Sequence, residues 1–339
     1  MLKAGLIGYG YWGVNLFRNL AASGRFALVA VADQSETRRD ALRTIFNRGL
    51  IMSAAEQLIQ DKDIEAVFIA TPVATHFALA RQAILAGKHV FVEKPMSATV
   101  AEAEELVHLA ERQAVVLMVD HTYLFTGAVQ CVAETLRSGE LGQLCYYDSM
   151  RINLGLFQPD INVLWDLAPH DLSILDYLLD EEPVRIAVSG YCHVNRHLPD
   201  IAYLTLHYPS NVVAHLNLSW MSPTKVRRIA IGGTRKMIVW DDLNREERIK
   251  IFNSGVQFQP EDQRAVIIPD YRIGDIYSPR IPNREALAGV VEHFAEVVAG
   301  TQASIMDGQR GLRIVRVLEA AQKIFDRDLQ GVPNPLFEP

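Results

Sequence analysis

A glycine-rich turn near the start of the chain constrains the fold more than any other feature. It stands between an apolar strand pattern and a helical pattern, and its sequence is Gly8-Tyr9-Gly10-Tyr11-Trp12-Gly13. Gly8 permits a tight turn, Gly10 lets the backbone approach a pyrophosphate, and Gly13 allows the helix to pack closely on the strand. The start of the helix then offers main-chain N–H groups to the anion. We expect all six residues to bind a dinucleotide, with a purely structural glycine turn as the alternative.

An acidic residue completes this motif. Asp33 follows Gly13 by twenty residues and ends the second apolar run, residues 27 to 32. A carboxylate at that place can accept hydrogen bonds from both hydroxyls of the adenosine ribose of NAD, and it would repel the 2′-phosphate of NADP. Arg38 and Arg39 follow closely and could neutralise such a phosphate. We therefore predict NAD as the cofactor, with NADP as the less favoured alternative.

Strand and helix patterns alternate over the first third of the chain. Apolar runs at residues 66 to 70, 89 to 92 and 115 to 119 are separated by helical patterns such as residues 101 to 112. Buried strands that alternate with helices indicate a doubly wound parallel sheet with helices on both faces. Because the alternation stops near residue 122, we predict an α/β Rossmann domain over residues 1–122.

The rest of the chain has a different organisation. Seven strand-like segments between residues 144 and 252 follow one another with short turns, which indicates an antiparallel sheet. A chain of 339 residues corresponds to two domains at roughly 150 residues per domain. We predict that residues 123–339 form an α+β domain with a large, open, mainly antiparallel sheet. Its edge strands need cover, so we expect a homo-oligomer, either a dimer or a tetramer.

Charge and composition disfavour several classes of partner. The chain has 33 basic and 40 acidic residues and a net charge of −7, which disfavours nucleic acid and anionic membranes. The longest uncharged stretch, residues 201 to 224, alternates in polarity and predicts two strands and a turn. No export signal pattern precedes the first strand, and the three cysteines lie too far apart for a disulfide framework or a metal cluster. We expect a cytoplasmic protein with a small-molecule substrate and no metal.

Several short motifs together resemble one protein family. They are the glycine turn, Asp33, Ala70-Thr71-Pro72 with Thr75-His76, Gly87-Lys88-His89-Val90, Glu93-Lys94-Pro95, and Asp166 with His170. This combination resembles the Gfo/Idh/MocA family, named after glucose-fructose oxidoreductase, inositol dehydrogenase and a rhizopine-catabolism protein. The resemblance implies hydride transfer between NAD(P) and a carbinol carbon of a sugar or cyclitol. It also implies that Thr71, Pro72 and His76 line the cofactor, and that Glu93 and Lys94 lie beside the nicotinamide.

The position of Lys94 agrees with that implied role. It lies just past the carboxyl end of an apolar strand, where open α/β sheets bind their ligands. A lysine there can donate a hydrogen bond to a substrate hydroxyl and polarise the reacting oxygen. The alternative is a surface lysine that merely ends a strand, but the flanking Glu93 and Pro95 favour the site.

Asp166 and His170 are the candidates for acid–base chemistry. Pro169 suits the first position of a helix, which predicts a helix over residues 169 to 179 with Asp166 just before it and His170 in its first turn. Oxidation of an alcohol needs a base for the hydroxyl proton, and histidine serves near neutral pH. Alternatively, His170 and Asp171 only cap the helix. The resemblance implies that His170 is the acid–base residue, with Asp166 fixing the histidine or a substrate hydroxyl.

Further polar residues are candidates for substrate contacts. They are Tyr123, Arg151, Asn153, Asn162 and Trp165. Arg151 and Asn153 share one face of a strand by its period of two and could hold an anionic substituent, with ordinary strand-face polarity as the alternative. His76 and His121 could each be a structural histidine. No spacing of histidines, cysteines and carboxylates suggests zinc.

The sequence also bears on the substrate. The segments around Asn153 and His170 resemble family members that oxidise UDP-linked amino sugars at carbon 3. A nucleotide sugar is therefore our first hypothesis for the substrate, and a free sugar or inositol is the second. A hypothesis of another class is an NAD-bound sensor without turnover, which the presence of both Lys94 and His170 disfavours.

Overall fold

The chain folds into two compact units. The computed structural model describes residues 1–155, 157, 161–195, 198–257 and 270–329. The first unit consists of Met1–Phe125 and Arg284–Glu319, and the second of the described parts of Thr126–Asn283 and Ala320–Pro339. The sequence predicted a single second domain over residues 123–339, whereas residues 284–319 pack in the first unit.

The first unit contains a sheet of six parallel strands with helices between them. In chain order the elements are β1 (Leu2–Ile7), α1 (Gly13–Ala22), β2 (Phe26–Ala32), α2 (Glu36–Ile45), β3 (Leu50–Met52), α3 (Ala55–Gln60), β4 (Ala66–Ile69), α4 (Val73–Leu85), β5 (His89–Val92), α5 (Val100–Gln113) and β6 (Leu117–Val119). The strands lie in the order β3-β2-β1-β4-β5-β6. Every residue of β4 is buried, as expected for a strand covered on both faces. The predicted Rossmann sheet is confirmed, and its strand order reverses beside β1, where such sheets bind ligands.

The second unit is built on a larger, mainly antiparallel sheet. Its elements are α6 (Gly127–Arg137), β7 (Leu144–Leu154), α7 (Val163–Leu179), β8 (Arg185–Tyr191), β9 (Ile201–His207), β10 (Val213–Ser219), β11 (Met221–Gly233), β12 (Met237–Asp241), β13 (Ile249–Phe252), β14 (Gly255–Gln257), β15 (Asp270–Arg272) and β16 (Ile276–Tyr277). Eight strands form one sheet in the order β16-β13-β12-β11-β7-β10-β9-β8. Only the β7–β10 pairing is parallel among the described strands of this sheet, so the predicted mainly antiparallel sheet is confirmed.

Two helices near the end of the chain bring a late segment into the first unit. They are α8 (Ala286–Val298) and α9 (Gly308–Leu329), of which residues 308–319 belong to the first unit. Phe294 of α8 packs with ring-centroid distances of 5.9 Å to Phe26, 5.2 Å to Phe68 and 5.5 Å to Phe91. Such a cluster buries a large apolar area, which explains why this segment belongs to the first unit. Among the helices in the described ranges, none is long and apolar enough to cross a membrane.

Candidate functional site

The glycine turn has the geometry that its sequence predicts. Gly8 has a φ of +94°, and a Cβ atom there would lie 2.3 Å from the carbonyl oxygen of Ala70. A Cβ atom on Gly13 would lie 2.1 Å from the carbonyl oxygen of Gly8. Only glycine avoids both the strained φ and these collisions. No side chain caps the start of α1 at Trp12, so this helix start suits an anionic group such as a pyrophosphate.

Asp33 is buried at the end of β2 beside the glycine turn. Its Oδ2 atom accepts a hydrogen bond of 2.7 Å from the main-chain N–H of Tyr9, and its Oδ1 atom accepts one of 2.8 Å from Ser35. The guanidinium of Arg38 lies 3.5 Å from Oδ2, and the side chain of Arg38 is 53% exposed. Arg39 instead donates to the main-chain oxygen of Asp33. The carboxylate is therefore held at the turn, as binding of an adenosine ribose requires.

His76 joins the loop after β4 to the loop after β5. Its Nδ1 atom lies 2.8 Å from the carbonyl oxygen of Pro95, and its Nε2 atom lies 2.8 Å from that of Thr71. Burial lowers the pKa of His76 below its ordinary value. A neutral imidazole has one N–H and donates to one of these two carbonyl oxygens, so His76 contacts both loops and is hydrogen-bonded to one of them. Thr71 and Pro72 stand at the start of α4.

The loop after β5 carries Glu93 and Lys94. The Oε2 atom of Glu93 accepts a hydrogen bond of 3.0 Å from the main-chain N–H of Lys94. Burial and the neighbouring charge of Asp120 raise the pKa of Glu93 well above its usual range. Glu93 and Asp120 lie at the carboxyl edge of the sheet, where β5 and β6 end side by side.

Asp120 is a site residue that the sequence analysis missed. It is buried directly after β6, and its Oδ2 atom accepts a hydrogen bond of 2.8 Å from the indole N–H of Trp12. Its Oδ1 atom accepts a hydrogen bond from the hydroxyl of Thr122. Trp12 and Asp120 are far apart in sequence, and only the parallel pairing of the strands brings them together. The sequence feature that could have identified Asp120 is its position at the end of a predicted strand, which Asp33 and Lys94 share.

His121 follows Asp120 and is 3% exposed. Burial and the positive charge of Lys94 lower the pKa of His121 to about 3, which makes the imidazole neutral. Among the described residues, its Nε2 atom has no hydrogen-bond partner. A buried polar atom without a partner is costly, so this nitrogen fits contact with a polar group of a bound molecule. Tyr123 lies in the next short helical turn, Thr122–Phe125, and keeps part of its surface exposed.

Helix α7 presents Asp166 and His170 from one face. From Val163 to Asp176 every residue is buried except these two. Residues four apart lie above one another on a helix, so the carboxylate and the imidazole share one partly exposed strip. The Oδ2 atom of Asp166 accepts a hydrogen bond of 3.2 Å from the indole N–H of Trp220. Of the predicted acid–base residues, the structure thus places these two side by side.

The start of α7 differs from the prediction. The helix begins at Val163, and Pro169 lies inside it instead of at its first position. Asn162 is the N-cap, because its side-chain oxygen accepts hydrogen bonds from the main-chain N–H groups of Leu164 and Trp165. Proline inside a helix removes one main-chain hydrogen bond, which is why the residue type favours a helix start. The cap at Asn162 and the buried apolar residues around Pro169 offset this loss.

The remaining substrate candidates lie mostly inside the second unit. Asn162 and Trp165 both donate hydrogen bonds to the side-chain oxygen of Gln322, at 2.7 and 3.2 Å. The Nε atom of Arg151 donates to Asp171 at 2.9 Å, and both side chains are almost fully buried. Asn153 is partly exposed at the end of β7. Arg151 is thus paired with a carboxylate in the interior, which leaves its charge compensated without a substrate.

These features define a dinucleotide-binding oxidoreductase. The strand order, the glycine turn and the buried carboxylate after β2 form a Rossmann cofactor domain, and α7 adds a pair suited to proton transfer. The chain belongs to the Gfo/Idh/MocA family. The family model described as an oxidoreductase family with an NAD-binding Rossmann fold matches residues 2–121, and the model of a Gfo/Idh/MocA C-terminal domain matches residues 129–239. The protein is accordingly an NAD(P)-dependent oxidoreductase.

Three relatives show how similar this chain is to other members of the family. A UDP-N-acetylglucosamine 3-dehydrogenase from Acidithiobacillus ferrooxidans is 28% identical over 93% of this chain and 94% of its own length, and its solved structure has a TM-score of 0.81. An oxidoreductase of solved structure from Magnetospirillum magnetotacticum is 30% identical over 94% of this chain and 99% of its own, with a TM-score of 0.80. A scyllo-inositol 2-dehydrogenase (NADP(+)) from Bacillus subtilis is 23% identical over 95% of this chain and 93% of its own length.

Proposed function

We propose that the protein is an NAD-dependent dehydrogenase that transfers hydride between nicotinamide and a ring carbinol carbon of a sugar, with a nucleotide sugar as substrate. The observation that carries this proposal is the partly exposed strip of Asp166 and His170 on the otherwise buried stretch of α7 from Val163 to Asp176. The named activity of the relative from Acidithiobacillus ferrooxidans, which is similar over nearly the whole chain, supports the substrate class.

The residues around the glycine turn would hold the cofactor. The start of α1 suits the pyrophosphate, and Asp33 suits the ribose hydroxyls. Thr71, Pro72 and Glu93 belong to the loops after β4 and β5, at the same edge of the sheet. When bound, NAD supplies the hydride acceptor. The buried carboxylate of Asp33 favours NAD, because it would repel a 2′-phosphate, although the exposed Arg38 lies close to it.

Side chains of the protein would transfer the proton of the substrate hydroxyl. During oxidation, a ring nitrogen of His170 takes the proton of the substrate hydroxyl as the carbon loses hydride. The ammonium group of Lys94 can donate a hydrogen bond to a substrate hydroxyl and stabilise negative charge that develops on its oxygen. Asp166, four residues from His170, orients the imidazole or holds a neighbouring hydroxyl. In the reverse direction His170 returns the proton to the oxygen.

A substrate screen tests this function. The purified protein is incubated with NAD or NADP and with UDP-N-acetylglucosamine, other UDP-linked amino sugars, free sugars or inositols, and NAD(P)H formation is followed by absorbance. We expect turnover on nucleotide sugars with NAD, and a loss of at least a hundredfold in kcat for His170→Asn, as for removal of a general base. His108→Asn, an exposed histidine on α5, is the matched control. Turnover on free polyols alone would overturn the nucleotide-sugar proposal and favour an inositol dehydrogenase, which the relative from Bacillus subtilis supports.

The open face of the eight-stranded sheet is our proposed contact surface for a homo-oligomer. Exposed apolar side chains lie along neighbouring strands on this face, namely Tyr146, Met150 and Leu154 on β7, Tyr203 on β9 and Val213 on β10. A contiguous exposed apolar patch is typical of a protein contact. Sedimentation analysis of the full chain should therefore give a dimer or tetramer that Met150→Lys weakens. A monomer at micromolar concentration would refute this.

A further inference from the structure

We propose that Asp120 is a positioning residue for the nicotinamide half of the cofactor, and that it acts by holding the indole of Trp12 across the carboxyl edge of the Rossmann sheet. The inference rests on the proposed function, which places a nicotinamide at this edge. It gives a role to two side chains that meet only in the folded protein, one from the glycine turn and one from the loop after β6.

Asp120 connects three loops at the carboxyl edge of the sheet. Its Oδ2 atom accepts a hydrogen bond of 2.8 Å from the indole N–H of Trp12 in the glycine turn. Its main-chain N–H donates, at 2.8 Å, to the carbonyl oxygen of Val92 at the end of β5. Its Oδ1 atom accepts a hydrogen bond from the hydroxyl of Thr122. Asp120 is only 2% exposed, so these contacts satisfy its carboxylate and fix its position.

The strand order indicates where the indole of Trp12 lies. β1 and β6 are separated by β4 and β5, and because neighbouring strands lie about 4.8 Å apart, β1 and β6 are about 14 Å from each other. The glycine turn after β1 packs on the end of β4, since a Cβ atom on Gly8 would lie 2.3 Å from the carbonyl oxygen of Ala70. From there the side chain of Trp12 reaches the residue that follows β6. We therefore place the indole above the carboxyl end of β5, the strand that precedes Lys94.

This position lies in the half of the site that would take the nicotinamide. A doubly wound sheet binds a dinucleotide across the point where the strand order reverses, with one mononucleotide on each side. Asp33 after β2 marks the adenosine side, so the nicotinamide belongs on the side of β4, β5 and β6. Trp12 keeps part of its surface exposed, and an indole offers a flat apolar surface to another ring. The bond from its single N–H donor to Asp120 fixes the orientation of that surface.

The contact between Trp12 and Asp120 should matter for the nicotinamide and not for the rest of the cofactor. If the contact only kept the glycine turn folded, its loss would weaken every ligand that binds the turn through a diphosphate. If it positions the indole, its loss weakens only ligands that carry a nicotinamide ring. ADP-ribose has the adenosine, the diphosphate and the second ribose of NADH but no nicotinamide, so it separates the two roles.

Calorimetric titration of the full, cofactor-free chain with NADH and with ADP-ribose is the test. Asp120→Ala and Trp12→Phe should each weaken NADH binding by about five- to tenfold, as for the loss of one hydrogen bond, and should leave ADP-ribose binding within about twofold of wild type. The double variant should lose little more, because both substitutions remove the same contact. Trp12→Phe carries the test if Asp120→Ala fails to fold.

Two further variants control for the chemistry of the contact. Asp120→Asn, whose amide oxygen can still accept from the indole, should restore most of the NADH affinity that Asp120→Ala loses. Thr122→Val is the matched control, because it removes the other side-chain donor to Asp120 and leaves the indole bond in place. Its affinity for NADH should stay close to that of the wild-type protein.

Several results would overturn the proposal. An equal fall in affinity for NADH and ADP-ribose would make the contact a support of the glycine turn alone. Unchanged NADH affinity in a folded Trp12→Phe protein would show that the indole is not held for the nicotinamide. Absence of binding of both ligands to the wild-type protein would overturn the proposed function as well, whereas the first two results leave that function standing.

Discussion

Substitution of Arg151 separates two roles for this residue, substrate binding and support of α7. Three alternate residues of β7 donate hydrogen bonds to the carboxylate of Asp171, at 2.9 Å from Tyr147, 2.8 Å from Ser149 and 2.9 Å from Arg151. Asp171 directly follows His170 in α7. We predict that Arg151 acts through Asp171 to hold the helix on the sheet, so Arg151→Met should destabilise the second unit.

The magnitude follows from the burial of both charges. The side chains of Arg151 and Asp171 are 4% and 0% exposed. Removing one partner of a buried ion pair costs about 3–5 kcal/mol, because the other charge is left without compensation. Arg151→Met and Asp171→Leu should each lower the free energy of unfolding by that amount. The double substitution Arg151→Met with Asp171→Leu removes both charges and leaves only two hydroxyl groups without their acceptor, so it should cost roughly 2–4 kcal/mol.

Urea unfolding of the full chain, followed by circular dichroism and fluorescence, gives these free energies. The sum of the two single losses should exceed the loss in the double variant, which corresponds to a coupling energy of about 2 kcal/mol or more. Ser149→Ala, which removes one donor and no charge, is the matched control with a smaller loss of about 1–3 kcal/mol. If Arg151→Met leaves the stability within about 1 kcal/mol of wild type and raises KM for the nucleotide sugar, then Arg151 binds the substrate and our reasoning fails.

Three further predictions concern single residues. Asp33→Asn should reduce kcat/KM with NAD and raise the ratio of NADP to NAD use, because the charge that repels a 2′-phosphate is gone; an unchanged ratio in steady-state assays would contradict this. Because the pKa of His121 is lowered to about 3, the wild-type protein should lose stability relative to His121→Gln as the pH falls from 6.5 towards 3, measured by thermal unfolding; parallel stability curves would be the contrary result. Asn162→Ala should cost about 1 kcal/mol in urea unfolding through the lost helix cap, and Asn162→Asp should restore most of it.

The sequence predicted those parts of the site whose conformation depends on residues close together in the chain. Gly8 adopts a left-handed φ, and Asp33 lies at the end of a strand next to the glycine turn. Both features can be predicted from short stretches of sequence. The alternation of strands and helices likewise depends on neighbouring residues. For that reason the Rossmann sheet and the mainly antiparallel second sheet were predictable before any contact was known.

The parts that the sequence did not predict depend on contacts between distant residues. The role of Asp120 comes from Trp12, 108 positions away. The burial of Arg151 comes from Asp171 on another element, so strand periodicity could give its face but not its partner. Pro169 was misplaced because a helix interior tolerates proline only when packing and a cap elsewhere compensate, and that compensation lies outside the local pattern.

The late position of Phe294 in the chain affects when the first unit can finish folding during synthesis. A ribosome produces Phe26, Phe68 and Phe91 early, but the ring that packs on all three emerges only after the strands of the second unit. Domains commonly fold from the N-terminus during synthesis. Here the first unit can complete its core only after the second unit's sheet has been translated. A nascent chain arrested before residue 284 would therefore present an uncovered aromatic surface, on which chaperones act.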